Sequence, residues 1–302
     1  MKETVNTCII GAGPGGITAA IQLKRCGIDF VIIENNEIGG LLRNANLVEN
    51  YPGFPEGISG QNLVKLFIGQ LYRLHVDILE DTVINADHKD GLFHTLTASS
   101  GIISSKNLVI ASGTRPRKFE WGVKKETVED RLFYEVVHLK GIRDKRIAVV
   151  GAGDAAFDYS LNLARKNKVV LLNRGSSSKC LPLLYERVSV ADNIEYLTST
   201  RVVDVVQEAE SLSLLLRSDP EKRETTIRAD YLLAAIGRVP STDFLSPVIG
   251  DCFNGKIKIS GLYFAGDVVR GLMRQASVSV GDGMRSAMDI YLRENEDGRT
   301  VE

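Results

Sequence analysis

Cysteine and histidine are scarce in this 302-residue sequence, which holds four of each. No two cysteines have the C-x-x-C spacing of an adjacent dithiol or the spacing of a zinc site, and the histidines form no compact cluster. We therefore predict no metal site. Because a disulfide framework is also missing, we expect a reducing compartment and a cytoplasmic protein.

An excess of charge of either sign is absent as well. Lys and Arg number 37 and Asp and Glu 38, so the formal net charge is −1. Without a net positive charge to attract nucleic acid or an anionic membrane surface, we expect neither as a partner. Hydrophobic residues at 44% and charged residues at 25% are close to the globular average, and the length of 302 residues suggests two domains.

The sequence also lacks a long apolar run that is free of helix breakers. Residues 4–22 carry no charge, but five of the six residues 11–16 are Gly or Pro and would break a lipid-exposed helix. The basic start of a secretory signal is missing, because Lys2 is followed by Glu3. These residues instead predict a buried strand, a tight turn and a helix.

A strand–helix–strand pattern is present twice, about 140 positions apart. The predicted elements are 5–10, 17–25 and 30–33 in the first copy, and 146–150, 154–166 and 169–172 in the second. Three more apolar strands, at 108–111, 232–236 and 262–265, each run into a glycine, and a last helix is predicted over 275–292. Repeated β-α-β units are typical of two nucleotide-binding domains with parallel sheets.

The first copy carries a G-x-G-x-x-G motif between its strand and its helix, in Gly11, Gly13, Pro14, Gly15 and Gly16. Its glycines allow the tight turn and let a pyrophosphate approach the backbone N–H groups at a helix N-terminus. Glu34 follows at the end of the second strand, where a carboxylate accepts hydrogen bonds from a ribose hydroxyl. This pattern predicts FAD or an NAD-type ligand.

The second copy has the G-x-G-x-x-A form, in Gly151, Gly153, Asp154, Ala155 and Ala156. Arg174 lies 23 residues after Gly151, the same interval that separates Gly11 from Glu34. A guanidinium group at this point, with Lys179 nearby, suits the 2′-phosphate of NADPH, whereas a solvated loop that leaves NADH possible is the alternative.

An ordered set of short segments resembles the flavoprotein thioredoxin reductases over about residues 8–292, nearly the whole chain. The segments are Gly39-Gly40-Leu41-Leu42, Val48-Glu49-Asn50-Tyr51-Pro52-Gly53-Phe54-Pro55, Ala111-Ser112-Gly113-Thr114, Gly237-Arg238-Val239-Pro240, Ala265-Gly266-Asp267-Val268 and Arg274-Gln275-Ala276. The resemblance implies an α/β protein with two Rossmann-like, three-layer nucleotide-binding domains, in the architecture of low-molecular-weight thioredoxin reductases. It also implies a homodimer that uses FAD and NADPH (or NADH).

The same resemblance implies domain boundaries and site residues. The FAD domain would be discontinuous, at 1–115 and 241–302, with the NAD(P)H domain at 116–240. Asp267 would hold the ribityl or pyrophosphate region, while Gln275 and Ala276 would lie against the flavin pyrimidine edge. Further expected FAD contacts are Gly40, Leu41, Asn50, Val83, Ala111 and Gly113. Further expected NAD(P)H contacts are Gly237 and Arg238.

The sequence departs from the thioredoxin reductases where they carry a C-x-x-C before the second nucleotide strand. Counted back from Gly151, this place holds Tyr134, Glu135, Val136, Val137 and His138, with no sulfur. The region is similar to the thioredoxin-reductase-like ferredoxin or flavodoxin NADP reductases, which also lack the dithiol. That similarity implies an electron transfer from the flavin to an external acceptor.

Three functions stay open from the sequence. The first is an NAD(P)H-dependent flavoenzyme whose external acceptor is ferredoxin, flavodoxin, a quinone or oxygen. The second is a disulfide reductase that acts directly from the flavin or through Cys180 or Cys252. The third is a flavin-binding sensor with a decayed nicotinamide site, because the segment Asn173-Arg174-Gly175 departs from the paired-arginine signature of the relatives and the dithiol is missing.

Two side chains in the departing segment are candidates for the chemistry. His138 is a candidate proton donor, because the unperturbed pKa of histidine is about 6.5, and a surface histidine is the alternative. Tyr134 is a candidate for stacking near the flavin ring, and ordinary packing is its alternative.

Overall fold

The computed structural model describes residues 4–119 and 128–299. The chain divides into two compact units. The first consists of Met1–Arg43, Glu49–Arg115 and Val239–Glu302, and the second of Asn44–Val48 and Pro116–Arg238. The short segment Asn44–Val48 thus packs with the second unit, whereas the boundaries expected from the motifs keep it in the first.

The described residues form a mixed set of strands and helices. The strands are β1 (Val5–Ile10), β2 (Phe30–Glu34), β3 (Leu79–Glu80), β4 (Val83–Lys89), β5 (Leu92–Thr97), β6 (Ile102–Ile110), β7 (Thr114–Pro116), β8 (Leu132–Phe133), β9 (Arg146–Val150), β10 (Lys168–Leu172), β11 (Ile194–Leu197), β12 (Thr200–Glu208), β13 (Ser211–Ser218), β14 (Arg223–Ala229), β15 (Tyr231–Ala234), β16 (Arg238–Pro240) and β17 (Leu262–Phe264). The helices are α1 (Pro14–Arg25), α2 (Gly60–Arg73), α3 (Asp154–Ala164), α4 (Pro182–Ser189), α5 (Pro247–Phe253) and α6 (Ala276–Arg299).

The sheet of the first unit has the order β3-β2-β1-β6-β5-β4, with β17 on the last residues of β6. Strands β1, β2, β3, β6 and β17 are parallel, and β4 and β5 extend the sheet in antiparallel pairs. Helices α1 and α6 pack closely, because Gly283 of α6 has no side chain to strike the carbonyl of Gly15 in α1. Parallel strands that are buried on both faces explain the continuous apolar runs of the sequence.

The second unit has a parallel sheet of order β11-β10-β9-β15-β8 and an antiparallel sheet of order β12-β13-β14. Helix α3 packs on the parallel sheet through Phe157 and Leu163, which lie in one buried cluster with Val149 and Leu171. The antiparallel sheet packs its alternate apolar residues, such as Leu212 and Leu214, against the other face. The expected α/β fold with two Rossmann-like nucleotide-binding domains is confirmed.

The helix boundaries differ from the pattern by a few residues. Helix α1 begins at Pro14 rather than at 17, because proline is favoured in the first turn, where its missing N–H leaves no bond unmade. Helix α6 runs from Ala276 through Arg299, past the predicted end at 292. Among the residues that the structure describes, no helix is both long and apolar enough to cross a membrane.

Candidate functional site

The turn after β1 is shaped by two glycines that have no room for a side chain. Gly11 has a φ of +101°, and a Cβ on it would lie 2.5 Å from the carbonyl oxygen of Ala111. A Cβ on Gly16 would strike the carbonyl of Gly11. The first and last glycines of the motif are therefore required by the turn itself and by the packing of strand on helix.

Gly13 has a different environment. Its φ of −77° and ψ of −178° suit any residue, and a Cβ on it would meet no protein atom within 4 Å. It is the N-cap of α1, and no side chain caps the helix there, so the N–H groups of the first turn receive no hydrogen bond from a capping side chain. Because neither backbone nor packing requires glycine here, the position fits the close approach of an anionic ligand such as a pyrophosphate.

Glu34 lies at the end of β2 and faces the same turn. One carboxylate oxygen accepts the N–H of Ala12 at 2.7 Å, and the other accepts the N–H of Asn36 at 2.9 Å. A carboxylate has about four acceptor positions, so two remain for other donors. The geometry therefore orients Glu34 and leaves it capacity for ribose hydroxyl groups.

Further residues expected to contact FAD lie close to this turn. A Cβ on Gly40 would lie 3.4 Å from the Cα of Gly13, and Leu41 follows in a short 3-10 turn. Ala111 donates its N–H to Ile10 at 2.8 Å, which places Ala111 and the following Gly113 at the end of β6 beside β1. The carboxyl ends of parallel strands are the usual position of a ligand in such sheets.

Val83 begins β4, the strand at the far end of the same sheet from β3. Two residues earlier, Asp81 donates its N–H to the carbonyl of Glu34 at 3.1 Å. This bond ties the start of β4 to the end of β2. Val83 thus follows a residue that is bonded to Glu34, and its contact with FAD stays a prediction.

Four further expected FAD residues lie at or near the start of α6. The side-chain amide of Asn50 donates to Oε1 of Gln275 at 2.9 Å. Ser279 donates its hydroxyl to a carboxylate oxygen of Asp267 at 3.2 Å, and Ala276 is the first residue of the helix. A helix N-terminus carries a partial positive charge, which stabilises a negative charge placed against it.

The turn after β9 repeats the geometry in the second unit. Gly151 cannot carry a Cβ without striking the carbonyl of Ala235, whereas a Cβ on Gly153 would meet no protein atom within 4 Å. Gly153 is the N-cap of α3, again without a side-chain cap. Ala155 is exposed in the first turn, and the carboxylate of Asp154 accepts the N–H of Leu181 at 2.8 Å.

Arg174 and Lys179 both follow β10, and the structure separates them. Arg174 is exposed and lines a cavity of about 310 Å³ together with Arg201, Val202, Val203 and Arg217. Lys179 donates its backbone N–H to Ala152 at 2.7 Å but is not among the lining residues. Two of the lining residues, Arg201 and Arg217, are arginines of strands β12 and β13. No sequence pattern connects these strands with Arg174.

Gly237 and Arg238 lie after β15. Gly237 has a φ of +109° and accepts the N–H of Arg117 at 3.0 Å. Arg238 forms an ion pair with Glu135 at 2.6 Å. The second carboxylate oxygen of Glu135 accepts the side-chain amide of Asn44 at 2.6 Å. Arg238, which is expected to contact NAD(P)H, is thus paired with Glu135 of the segment 134–138, which contains no cysteine.

The two candidates for chemistry differ in accessibility. His138 is exposed, and its ring lies 6.4 Å from the ring of Phe133. Tyr134 is partly buried, and its hydroxyl oxygen accepts the N–H of Phe119 at 3.0 Å. In this conformation Tyr134 serves packing, and His138 is the side chain that solvent can reach.

All four cysteines are free thiols in the structure. Burial raises the pKa of the Cys8 thiol to about 12, and it also raises the pKa of the Cys180 and Cys252 thiols. A thiol must lose its proton to attack a disulfide, so these surroundings do not activate them.

A partly buried carboxylate within the nucleotide helix α3 has no counterpart among the expected site residues. Asp158 accepts the backbone N–H of Asn46 at 2.9 Å, and Leu47 gives a second backbone hydrogen bond. Desolvation raises the pKa of Asp158 to about 6 in spite of these bonds. No sequence motif marks this contact, because its partners are backbone groups 112 positions away.

Comparisons with known proteins agree with this geometry. A family model described as pyridine nucleotide-disulphide oxidoreductase matches residues 5–283. The chain is 28% identical to the thioredoxin reductase of Borreliella burgdorferi over 303 residues, which cover 93% of this chain and 90% of that protein. It is 29% identical to the thioredoxin reductase of Streptomyces clavuligerus over 304 residues, covering 96% and 94%. The crystal structure of Lactococcus lactis thioredoxin reductase in its FR conformation matches the fold with a TM-score of 0.86 at 24% identity, covering 95% of this chain and 98% of that one.

Proposed function

Because the chain belongs to the pyridine nucleotide-disulphide oxidoreductase family, which uses FAD and NADPH, we propose that it oxidises NADPH through a bound FAD and reduces an external acceptor. In this proposal the protein contributes no redox-active disulfide. The acceptor is ferredoxin, flavodoxin, a quinone or oxygen.

One combined observation carries the proposal. Both nucleotide turns keep an open glycine at an uncapped helix N-terminus, at Gly13 and at Gly153. The segment Tyr134 to His138, which by counting back from Gly151 takes the place of the C-x-x-C in the thioredoxin reductases, contains no cysteine. Retention of both nucleotide sites supports hydride transfer, and the missing dithiol supports an acceptor that docks from outside.

The first unit supplies the groups that suit FAD. The turn around Gly13 offers backbone donors to the pyrophosphate, Glu34 offers acceptors to a ribose, and the start of α6 offers a positive dipole end. Gln275 accepts from Asn50 through its oxygen, so its amide nitrogen is left as a donor. When bound, FAD would provide the redox group for hydride transfer from the nicotinamide and for later electron release.

The second unit supplies the groups that suit NADPH. Gly153 leaves the helix N-terminus accessible to the pyrophosphate, and Arg174 offers a fixed positive charge to the 2′-phosphate. Lys179, Gly237 and Arg238 remain in the proposed set. NADH is the alternative donor, and the 2′-phosphate is the group that distinguishes the two coenzymes. His138 is proposed as the proton donor to a substrate, because solvent reaches it.

An anaerobic rapid-mixing experiment tests the proposed donor and acceptor together. The purified yellow protein is mixed with NADPH or with NADH, and bleaching of the flavin band near ~450 nm is followed. We expect fast bleaching with NADPH and slower bleaching with NADH. Reoxidation is then measured with ferredoxin, flavodoxin, a quinone and oxygen in separate runs. A flavin that dithionite reduces but neither coenzyme bleaches would exclude the proposed function.

A disulfide reductase is the second candidate, because the curated relatives described above are thioredoxin reductases. In this version a disulfide substrate reacts directly at the flavin or with Cys180 or Cys252. Turnover of thioredoxin disulfide under NADPH supports this candidate. Loss of that turnover in the Cys180→Ser, Cys252→Ser double variant identifies the version that uses those thiols.

The proposal includes a cytoplasmic homodimer. Light scattering on the purified holoenzyme measures the mass directly, against 33.1 kDa for one chain. A mass of one chain at micromolar concentration contradicts the dimer and leaves the redox proposal untouched.

A further inference from the structure

Three arginines from separate parts of the second unit border one cavity. Arg174 follows β10, Arg201 lies in β12 and Arg217 lies in β13. Together with Val202 and Val203 they line the cavity of about 310 Å³. This volume exceeds that of a phosphate group and leaves room for part of a nucleoside. Only Arg174 belongs to the coenzyme site expected from the sequence.

The backbone explains why the first two arginines are neighbours. Thr200 donates its N–H to the carbonyl of Asn173 at 2.9 Å, and Ser199 donates its N–H to the carbonyl of Gly175 at 2.8 Å. The residues on both sides of Arg174 are thus bonded to the two residues that precede Arg201. The side chain of Asn173 fixes the turn further, because its Oδ1 accepts the N–H of Gly175 at 2.9 Å.

The third arginine is placed by strand register. Arg201 of β12 lies directly opposite Arg217 of β13, and Arg217 lies opposite Glu224 of β14. Two like charges directly opposite each other in a sheet are unfavourable. Glu224 accepts the Nε–H of Arg217 at 3.0 Å, and the nearest carboxylate oxygen to Arg201, on Asp219, is 3.8 Å away.

The charge around the cavity is therefore positive. Three arginines line it against two carboxylates, because Glu224 pairs with Nε and Nη2 of Arg217 and Asp219 pairs with Arg201. Within residues 4–119 and 128–299 no carboxylate lies within 4.0 Å of the Arg174 side chain. A dianionic phosphate would offset the repulsion between the opposed arginines and accept hydrogen bonds from the guanidinium N–H groups that the two carboxylates leave unused.

We propose that Arg201 and Arg217 join Arg174 in binding the 2′-phosphate of NADPH and so set the preference of the enzyme for NADPH over NADH. The proposal rests on the proposed function, since it assigns the coenzyme to the second unit. Arg201 and Arg217 add positive charge beside Arg174 from two strands that lie elsewhere in the chain. Val202 and Val203 give the cavity an apolar wall that suits the carbon side of a ribose.

The test is a calorimetric titration of the holoenzyme with 2′,5′-ADP, with 5′-AMP and with inorganic phosphate. The variants are Arg201→Gln and Arg217→Gln, and the matched control is Arg228→Gln, an exposed arginine of β14 that does not line the cavity. We expect each of the first two substitutions to lower the affinity for 2′,5′-ADP about ten-fold or more, as for a lost hydrogen bond to a charged group. The affinity for 5′-AMP should stay unchanged. The control should bind both ligands as the unchanged protein does.

Kinetics provide a second readout. In Arg201→Gln and Arg217→Gln, KM for NADPH should rise by about the same factor of ten, while KM for NADH and the flavin bleaching rate at saturating coenzyme stay unchanged. An unchanged flavin spectrum and thermal midpoint show that the variants are folded. Arg217→Lys should recover part of the affinity, because it restores the charge without the planar fork.

Two results would overturn the proposal. One is 2′,5′-ADP binding in Arg201→Gln and Arg217→Gln at the unchanged affinity. The other is inorganic phosphate binding as tightly as 2′,5′-ADP, which would make the cavity a site for free anions. Failure of the proposed function looks different: 2′,5′-ADP still binds and depends on the arginines, but neither coenzyme bleaches the flavin.

Discussion

Glu135 and Arg238 form an ion pair of 2.6 Å, with both side chains only 19% exposed. Glu135 lies in the segment 134–138, which holds no cysteine and which, counted back from Gly151, is expected to take the place of the C-x-x-C. In place of a sulfur that exchanges electrons, this chain has a carboxylate held by a guanidinium group and by the amide of Asn44. The pair is a polar contact with little solvent exposure, and it ties the segment to the start of β16.

A double-mutant cycle measures this pair. We expect Glu135→Ala to cost about 2–4 kcal/mol of the free energy of unfolding, because it leaves a largely buried guanidinium group with less compensation. Arg238→Ala should cost a similar amount. In the double variant the two losses should fall short of their sum by about 1–3 kcal/mol, measured by denaturant unfolding. Losses that add fully would mean that the contact contributes no coupling.

Gly13 and Gly153 predict that substitution at each glycine affects the binding of a different cofactor. Gly13→Ala should lower the FAD content of the purified protein by about ten-fold or more, because the new methyl group occupies the approach of the pyrophosphate. Gly153→Ala should keep the flavin and raise KM for NADPH instead. Both positions are N-caps, so each variant controls for the other's loss of helix stability of about 1 kcal/mol.

Gly69→Ala serves as the control outside both sites. Gly69 is exposed within α2, and a Cβ on it would also meet no atom within 4 Å. It should leave flavin content and KM unchanged. Full flavin content in Gly13→Ala would contradict the placement of FAD at this turn.

Asp158 predicts a dependence of stability on pH. Its pKa is raised to about 6 in the folded protein from an ordinary 3.8, so the folded state binds more protons than the unfolded state between these values. The free energy of unfolding therefore falls as pH rises through this window. The free energy of unfolding of Asp158→Asn, relative to that of the unchanged protein, should rise by about 1–3 kcal/mol from pH 4 to pH 7, because asparagine has no carboxyl to ionise.

Denaturant unfolding at both pH values checks this, with Asp158→Ala as the companion variant. Alanine removes the acceptor for the N–H of Asn46, so it should destabilise the protein at both pH values. A difference between Asp158→Asn and the unchanged protein that stays constant with pH would show that the carboxyl does not titrate in this range.

The thiols are predicted to be dispensable for electron transfer. Burial raises the pKa of Cys180 and of Cys252, which leaves little thiolate near neutral pH. The Cys180→Ser, Cys252→Ser double variant should reduce the external acceptor within about two-fold of the unchanged rate. A flavin-loaded double variant that oxidises NADPH normally but no longer reduces the acceptor would assign a redox role to one of these thiols.

The sequence predicted the elements in which a motif and its partner lie close in the chain. The two nucleotide turns were predictable because glycine, proline and helix signals fall within six residues, and the strands because buried parallel strands give continuous apolar runs. Asn50 and Gln275, which are 225 positions apart, were expected near the flavin only through the family resemblance, and the structure shows them hydrogen-bonded.

Contacts without a local pattern were missed. Glu135 and Arg238 are 103 positions apart, and nothing in either neighbourhood marks the partner. Arg201 meets Arg217 through the register of an antiparallel pair, which contains a bulge between Val202 and Asp204. A one-residue shift turns every side chain of a strand to the other face, so the sequence alone could not place both arginines at one cavity.

The central claim is that hydride enters from NADPH and that the flavin is the only redox group of the protein. An anaerobic titration of the oxidised holoenzyme with NADPH measures this directly, by following the flavin band and the NADPH consumed. The account predicts complete bleaching at about one equivalent of NADPH per flavin, with no further uptake. Uptake of about two equivalents would reveal a second two-electron group such as a disulfide, and would contradict the account.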